Sequence, residues 1–230
     1  MKLYSKLLLT IVPIIIFIGS NNIATKKTYT AAVVTKVIQE VKHKSGNEDW
    51  QTTKPLTQLK TNDLLKTGQK SVAVLKYVDG SILRVRENST IVILADKREK
   101  GLIKNTKIEN GKLVFDVNKQ SDDDKFIITT PTAVATIRGT SGLIEVLDDG
   151  STLLLLQTGS IELESLGLNR QTSVVEAGTS SLINPDGNII TNELTEQQKQ
   201  SLSNAYKTNE KTIKVQTNRG NFKIYYLDSE

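Results

Sequence analysis

From residue 33 onward the chain alternates apolar and polar positions. Residues 33–44 set Val37, Ile38 and Val41 among Lys36, Gln39, Lys42 and Lys44. The same rhythm returns at 71–77 (SVAVLKY), 81–86 (SILRVR), 90–95 (TIVILA), 111–117 (GKLVFDV), 126–129, 143–147, 151–157 and 160–163. Short segments rich in Val, Ile, Leu and Thr with period two predict strands. Pairs that accept positive φ separate them: Asp79-Gly80, Asn110-Gly111, Asp149-Gly150 and Asp186-Gly187. Thr67-Gly68, Thr158-Gly159 and Ala177-Gly178 mark further corners. No helical stripe of similar quality precedes residue 190. The pattern predicts an all-β fold, either a β-solenoid-like or rolled antiparallel/parallel sheet or a twisted β-sandwich. Its core draws on Val, Ile and Leu, with Trp50 and Phe115 as larger fillers. Two charged stretches, 96–107 (DKREKGLIKNTK) and 119–125 with Asp122-Asp123-Asp124, read as solvated loops.

The two ends differ from this body. Residues 192–210 form the one good helix candidate: Thr195 caps it, Gln198 three residues on completes a capping box, and Leu202 and Tyr206 share a face. Residues 212–217 and 222–227, joined by Asn218-Arg219-Gly220-Asn221, predict a terminal β-hairpin. At the start, Lys2 and Lys6 precede an apolar run at 7–19 (LLLTIVPIIIFIG) and a polar exit. That is the layout of a secretory signal, and the run is shorter than the roughly 20 residues of a spanning helix. The expected division is a signal peptide or N-terminal anchor at 1–24, a β domain at 33–190, and a helix-plus-hairpin extension at 191–230. The rest of the chain is thereby expected outside the cytoplasm, in the periplasm or cell envelope. Contact with the membrane would come only through an uncleaved anchor.

Composition narrows the chemistry. There is no Cys and one His, which removes disulfides, thiolate metal sites, Cys nucleophiles and His-rich metal centres. Thirty basic residues against 25 acidic ones give +5. The charges are scattered, without the stripe that nucleic-acid binding requires. No nucleic acid, cofactor or metal is expected.

The turns and strands together resemble the FecR domain of bacterial envelope proteins. Asp63-Leu64-Leu65-Lys66-Thr67-Gly68, then 71–75 (SVAVL), then Asp79-Gly80-Ser81-Ile82-Leu83 is similar to the family's G-D-x-L-x-T-G … A-x-L-x-x-x-D-G-S-x-L stretch. Residues 126–133 (FIITTPTA), with Thr130-Pro131, lead into Ile137-Arg138-Gly139-Thr140, resembling F-x-I-x-T-P-x-A … R-G-T. Gln157-Thr158-Gly159-Ser160-Ile161 and Glu176-Ala177-Gly178 resemble its later strand and its end, and Trp50 falls where the family often has a Trp. Asn62 stands where the family usually has Gly, and Asn tolerates left-handed φ/ψ best among other residues. The resemblance covers roughly 35–180. It implies a solenoid-like or rolled sheet and the extracytoplasmic domain of a signalling system. Family members that span the membrane carry a cytoplasmic segment, and only six residues precede the apolar run here. The chain is therefore expected to be a stand-alone, non-catalytic envelope binding or scaffold module that contacts an envelope protein or cell-wall component. The alternative is a regulatory sensor of cell-surface signalling acting through a partner chain, and a wall-polymer hydrolase is a remote third.

Each candidate residue has a structural reading. The Arg138 guanidinium, with five donors, is expected to tie backbone carbonyls at a turn, with Gly139 for φ/ψ and Thr140 for a side-chain bond. Pro131 shapes the strand before it. Asp79-Gly80-Ser81 and Asp149-Gly150-Ser151 recur between strands and read as turn chemistry rather than catalytic Asp and Ser. His43, between Lys42 and Lys44, reads as exposed. Glu162 and Glu164 lie two apart on one strand and face the same side, not across a cleft as a glycosidase requires.

Overall fold

The computed structural model describes residues 29–206, and the backbone of two further strands at Glu210–Thr217 and Gly220–Leu227. The expected leader at 1–24 lies outside the described residues. Among the described residues, no helix is long and apolar enough to cross a membrane.

The fold is all-β with one C-terminal helix, as its alternation requires. Nine strands form the first half: β1 (Thr30–Ile38), β2 (Val41–Ser45), β3 (Gln51–Thr52), β4 (Gln58–Lys60), β5 (Asp63–Thr67), β6 (Val72–Tyr77), β7 (Ile82–Val85), β8 (Thr90–Lys97) and β9 (Leu102–Asp116). Eight more follow: β10 (Lys125–Thr129), β11 (Ala133–Ile137), β12 (Ser141–Val146), β13 (Thr152–Thr158), β14 (Ser160–Ser165), β15 (Thr172–Glu176), β16 (Thr179–Ile183) and β17 (Ile189–Glu193). Then come α1 (Glu196–Tyr206) and the hairpin β18 (Glu210–Thr217) and β19 (Gly220–Leu227).

Strands β1 to β17 make one open, mixed sheet that doubles over itself. One layer runs β4-β1-β6-β7-β9-β12-β13-β16-β17. The other runs β3-β2-β5-β8-β9-β10-β11-β14-β15. Of these pairings only β9 with β10 is parallel. The chain passes repeatedly from one layer to the other, so this is the rolled form of the expected sheet. A single apolar cluster lies between the layers, fed by Leu75, Leu83 and Phe115 from the first and by Leu65, Ile93 and Phe126 from the second. Tyr77 of the first layer meets Phe126 of the second edge-on at 5.0 Å between ring centroids.

Strand β9 belongs to both layers. Its first half pairs with β8 and β10, its second with β7 and β12. The change happens at a bulge, where Thr90 opposes Asn110 and Ile91 opposes Ile108. Gly111 follows with φ +93°. Bulges bend a strand and raise its twist. Asn110-Gly111 therefore is not a turn between two strands; it is the pivot inside one. A Cβ on Gly111 would lie 2.2 Å from Ser89 Oγ and 2.6 Å from Ser89 Cα. Ser89 is held there by accepting the Lys112 N–H at 2.9 Å and by donating its own N–H to Thr67 Oγ1 at 3.0 Å.

The same pairing overturns the loop reading of 96–107. Only the corner of the β8–β9 hairpin is loop; Leu102–Asp116 is strand, with Lys104 among the most buried side chains. Phe115 fills the core as expected, but Trp50 does not. It is half-buried on the outer face, with Lys66 Nζ at 4.2 Å and Lys44 Nζ at 5.2 Å from its ring centroid.

The helix packs on the outside of the first layer. Leu202 and Ala205 meet Val114, Leu143 and Leu155, side chains that point away from the interlayer core. The capping box forms as read: Thr195 Oγ1 accepts the Gln198 N–H at 3.2 Å, and Gln198 Oε1 accepts the Thr195 N–H at 3.0 Å. At the other end, Tyr206 donates its hydroxyl to the Phe115 carbonyl at 3.0 Å, with the Gly142 carbonyl at 3.3 Å. Burial pushes the Tyr206 phenol up to about 12.

Gly111→Ala is expected to cost about 2–4 kcal/mol, from positive φ plus overlap with Ser89. Gly150 also has positive φ, at +82°, but open space around its Cβ direction. Gly150→Ala should therefore lose only about 1 kcal/mol. Urea midpoints of the two variants check this, and equal losses would remove the pivot from the explanation.

Candidate functional site

The signature residues occupy the corners of the roll, and most of them have a mechanical task. The Asp63 carboxylate is buried and accepts the Lys60 N–H at 2.8 Å. Asn62 before it adopts φ +70°, the left-handed conformation its Asn permits. Thr67 Oγ1 donates to the Arg86 carbonyl, and the Gly68 N–H donates to the Glu40 carbonyl at 2.9 Å. Thr130 and Thr132 flank Pro131 in the β10–β11 turn, and both hydroxyls converge on Thr152 Oγ1 of the opposite layer, at 2.7 and 2.6 Å. That turn therefore stitches the two layers. Gly159 and Gly178 sit in the β13–β14 and β15–β16 corners and receive backbone N–H donors from Ala177 and Leu194.

The Arg-Gly-Thr segment departs from its expected mechanism. Arg138 is exposed and makes no hydrogen bond or ion pair among the described residues, so it is not a backbone tie. Gly139 does the shaping, at φ +91° with Lys119 Cα 3.0 Å from where a Cβ would be. Thr140 is buried, but its hydroxyl has no partner; its carbonyl accepts the Val117 N–H at 2.9 Å. His43 also differs from the reading. It is half-buried in β2, with Nδ1 3.1 Å from Thr53 Oγ1.

The two Asp-Gly-Ser turns are built alike. In each, the Asp Oδ1 accepts the Ser N–H, at 3.0 Å for Asp79 and 2.9 Å for Asp149. The residue two before each Asp, Tyr77 or Leu147, donates its N–H to that Ser carbonyl. Their surroundings are not alike. Asp79 Oδ2 faces Lys104 Nζ at 3.1 Å, and Lys104 is 1% exposed against 17% for Asp79. Gln120 Nε2 donates to the same Oδ2 at 2.9 Å, and Tyr77 shares a hydrogen bond with Thr106 at 2.6 Å. Burial alone would raise the Asp79 carboxyl, but the Gln120 amide, the Ser81 N–H and the Lys104 ammonium hold it below the usual value. Burial pushes the Tyr77 phenol well up. This is a structural ion pair inside the roll. Sequence reasoning missed Lys104, whose only signal is the strand alternation of 102–107 beneath its charged neighbours.

An open groove of about 940 Å³ lies between α1 and the rim turns of the two layers. Lys112 and Glu145, paired at 3.1 Å across β9 and β12, are part of its lining. Arg86 lines another side, with its Nη1 buried and without a partner, and desolvation lowers its pKa. Asn88, Asn110 and Asn204 add amides to the lining. Groups of three or more His, Cys, Asp or Glu side chains able to hold a metal are absent among the described residues.

The sequence profile of the family described as FecR protein matches residues 63–162, from β5 into β14. No curated protein matches. Two crystal structures of a proposed anti-sigma factor from Parabacteroides distasonis ATCC 8503, at 1.65 and 2.50 Å resolution, share the fold with a TM-score of 0.51 and 15% identity. The match covers 60% of this chain and 63% or 62% of those chains, under two thirds of their length.

Asp79→Asn should destabilise by roughly 2–4 kcal/mol, because it strands a buried ammonium; the exposed edge of Asp79 keeps the loss below the largest seen for buried pairs. Lys104→Met in the same chain should recover most of that loss. The pair also sets an acid limit. A depressed folded-state pKa contributes stability that is complete above the unfolded value of about 3.9 and is lost as pH falls through the folded value. Acid unfolding midpoints of wild type and the double variant test this, and identical acid limbs would sink it. Arg138→Ala should change stability by less than about 0.5 kcal/mol, measured by urea denaturation.

Proposed function

We propose that this chain, whose residues 63–162 match the FecR family, is a non-enzymatic regulatory module of cell-surface signalling that acts outside the cytoplasm through a partner protein. The family match over 63–162 carries this reading. The anti-sigma description of the structural neighbours supports it. It is more specific than the general scaffold role expected from residues alone, and it agrees with signature residues whose tasks are mechanical.

The α1 groove is the place we assign to the partner. It joins the half-buried Arg86 guanidinium, a lysine–glutamate pair and several amides on rigid strands, a mixture suited to a polar protein segment rather than to an apolar small molecule. Asn204 is exposed on α1 at its edge. Asn204→Arg should obstruct the groove and leave the fold intact.

The test is transcriptional. Deletion of the gene should change a defined set of envelope-stress or uptake transcripts, and the wild-type chain should restore them. The Asn204→Arg chain, at equal abundance, should restore less than about a tenth of the response, on the scale of losing a buried interface anchor. Full restoration by that variant would move the partner elsewhere. A deletion that alters no such transcript would overturn the regulatory reading.

A further inference from the structure

The outer face of the second layer has no element packed on it among the described residues, and its charges are segregated. Alternation fixes which side chains point outward. With Leu65, Ile91, Phe126 and Leu163 in the core, Lys42, Lys44, Lys66, Val92, Ile127, Val134, Glu162 and Glu164 face out. One end is basic. Lys42 stands directly opposite Lys66 across β2 and β5, and Lys44 is next on the same face. Glu40 pairs with Lys42 at 2.6 Å, and no ion pair is formed by Lys44 or Lys66 among the described residues. The other end is acidic. Glu162 and Glu164 on β14 and Glu176 on β15 are exposed and make no ion pair among the described residues. Arg138 follows Ile137, the residue opposite Ile161, and is an exposed basic side chain at that corner. Between them lie Leu64, Val92, Leu94, Ile127 and Val134, half-buried and apolar, and one self-compensated pair, Lys107 opposite Val92 with Glu109 at 3.8 Å.

The basic cluster is unfavourable in the lone chain, because Lys42 and Lys66 stand directly opposite each other and like charges so placed destabilise a sheet. The acidic one crowds Glu162 and Glu164 two apart on one face of a single strand. The clusters cannot relieve each other, because β5 and β14 are five strand spacings apart, about 24 Å, against a screening length of about 8 Å. Trp50 holds the ammoniums of Lys44 and Lys66 against its ring, so the basic end is preorganised rather than free to disperse.

We propose that this face is a self-association surface, and that its occupant is a second copy of the chain. A two-fold axis near β9 and β10 would lay the basic end of each copy over the acidic end of the other and stack the apolar middles. The face is self-complementary in the way a two-fold interface requires. Eight strand spacings by five residues give about 600 Å² per copy, or about 1,200 Å² in total, the lower limit for a specific dimer. Twisted sheets stack face to face when rotated by about 30°. The dimer leaves the α1 wall of the groove free, since α1 packs on the other layer.

Sedimentation velocity on the full chain tests the proposal. Wild type should form a dimer by about 100 µM at about 50 mM salt, weakening at least tenfold at about 500 mM. Lys44→Glu with Lys66→Glu gives a face acidic at both ends, and Glu162→Lys with Glu164→Lys gives one basic at both ends. Each variant alone should be monomeric; an equimolar mixture should form a one-to-one heterodimer. The matching Gln substitutions, which remove charge without reversing it, should weaken wild-type association and serve if a reversed variant fails to fold. A monomeric wild type, reversed or Gln variants that associate as strongly as wild type, or a mixture that stays monomeric would each overturn the proposal.

Discussion

The architecture rests on one strand being shared. β9 must satisfy β8 and β10 in one layer and β7 and β12 in the other, so its register is fixed twice. A slip of one residue would turn every side chain of a strand to the wrong face, and here it would spoil both layers together. The bulge before Asn110 and the positive φ of Gly111 make the change of layer possible, and Ser89 and Thr67 clamp it. On one side of the pivot β9 carries Lys104 inward to Asp79; on the other it carries Phe115 into the core. The polar and apolar parts of the interior are thus hung on the same fifteen residues.

Much of this was legible where local chemistry is decisive. The Asp-Gly-Ser turns, the left-handed Asn62 and the Thr195–Gln198 capping box depend on neighbours within a few residues, and each forms as its sequence dictates. The capping box even places Leu202 on the buried face. Features set by distant chain were not legible. Lys104 sits amid charges that look solvated, and only its place in β9 beneath the Asp79 turn buries it. Asn110-Gly111 has the composition of a hairpin corner, yet β7 and β12 continue the strand past it. Strands β16 and β17 (TSSLI and IITNE) carry Ser and Asn where an apolar alternation would announce them. Trp50 was drawn to the core by size, whereas two lysines on adjacent strands hold it outside.

The Arg-Gly-Thr and Thr-Pro segments show why a family signature need not be a binding site. Thr130, Thr132 and Thr152 form a small hydroxyl knot between layers, and Gly139 lets the chain pass Lys119 closely. These are requirements of folding a sheet over itself. Arg138 is the exception, a side chain at the surface with no hydrogen bond or ion pair among the described residues. The two faces of the molecule then divide the work: the outer face of the first layer carries α1 and its groove, and that of the second carries segregated charge.

The anchor at the end of α1 has a mechanical consequence. Tyr206 holds the backbone carbonyls of Phe115 and Gly142, which belong to β9 and β12. A pull on the chain beyond the helix therefore enters the body at the seam where the layers join, along neighbouring strands that are already cross-linked to each other. The load thus reaches two paired interior strands at once instead of peeling an edge strand from the sheet.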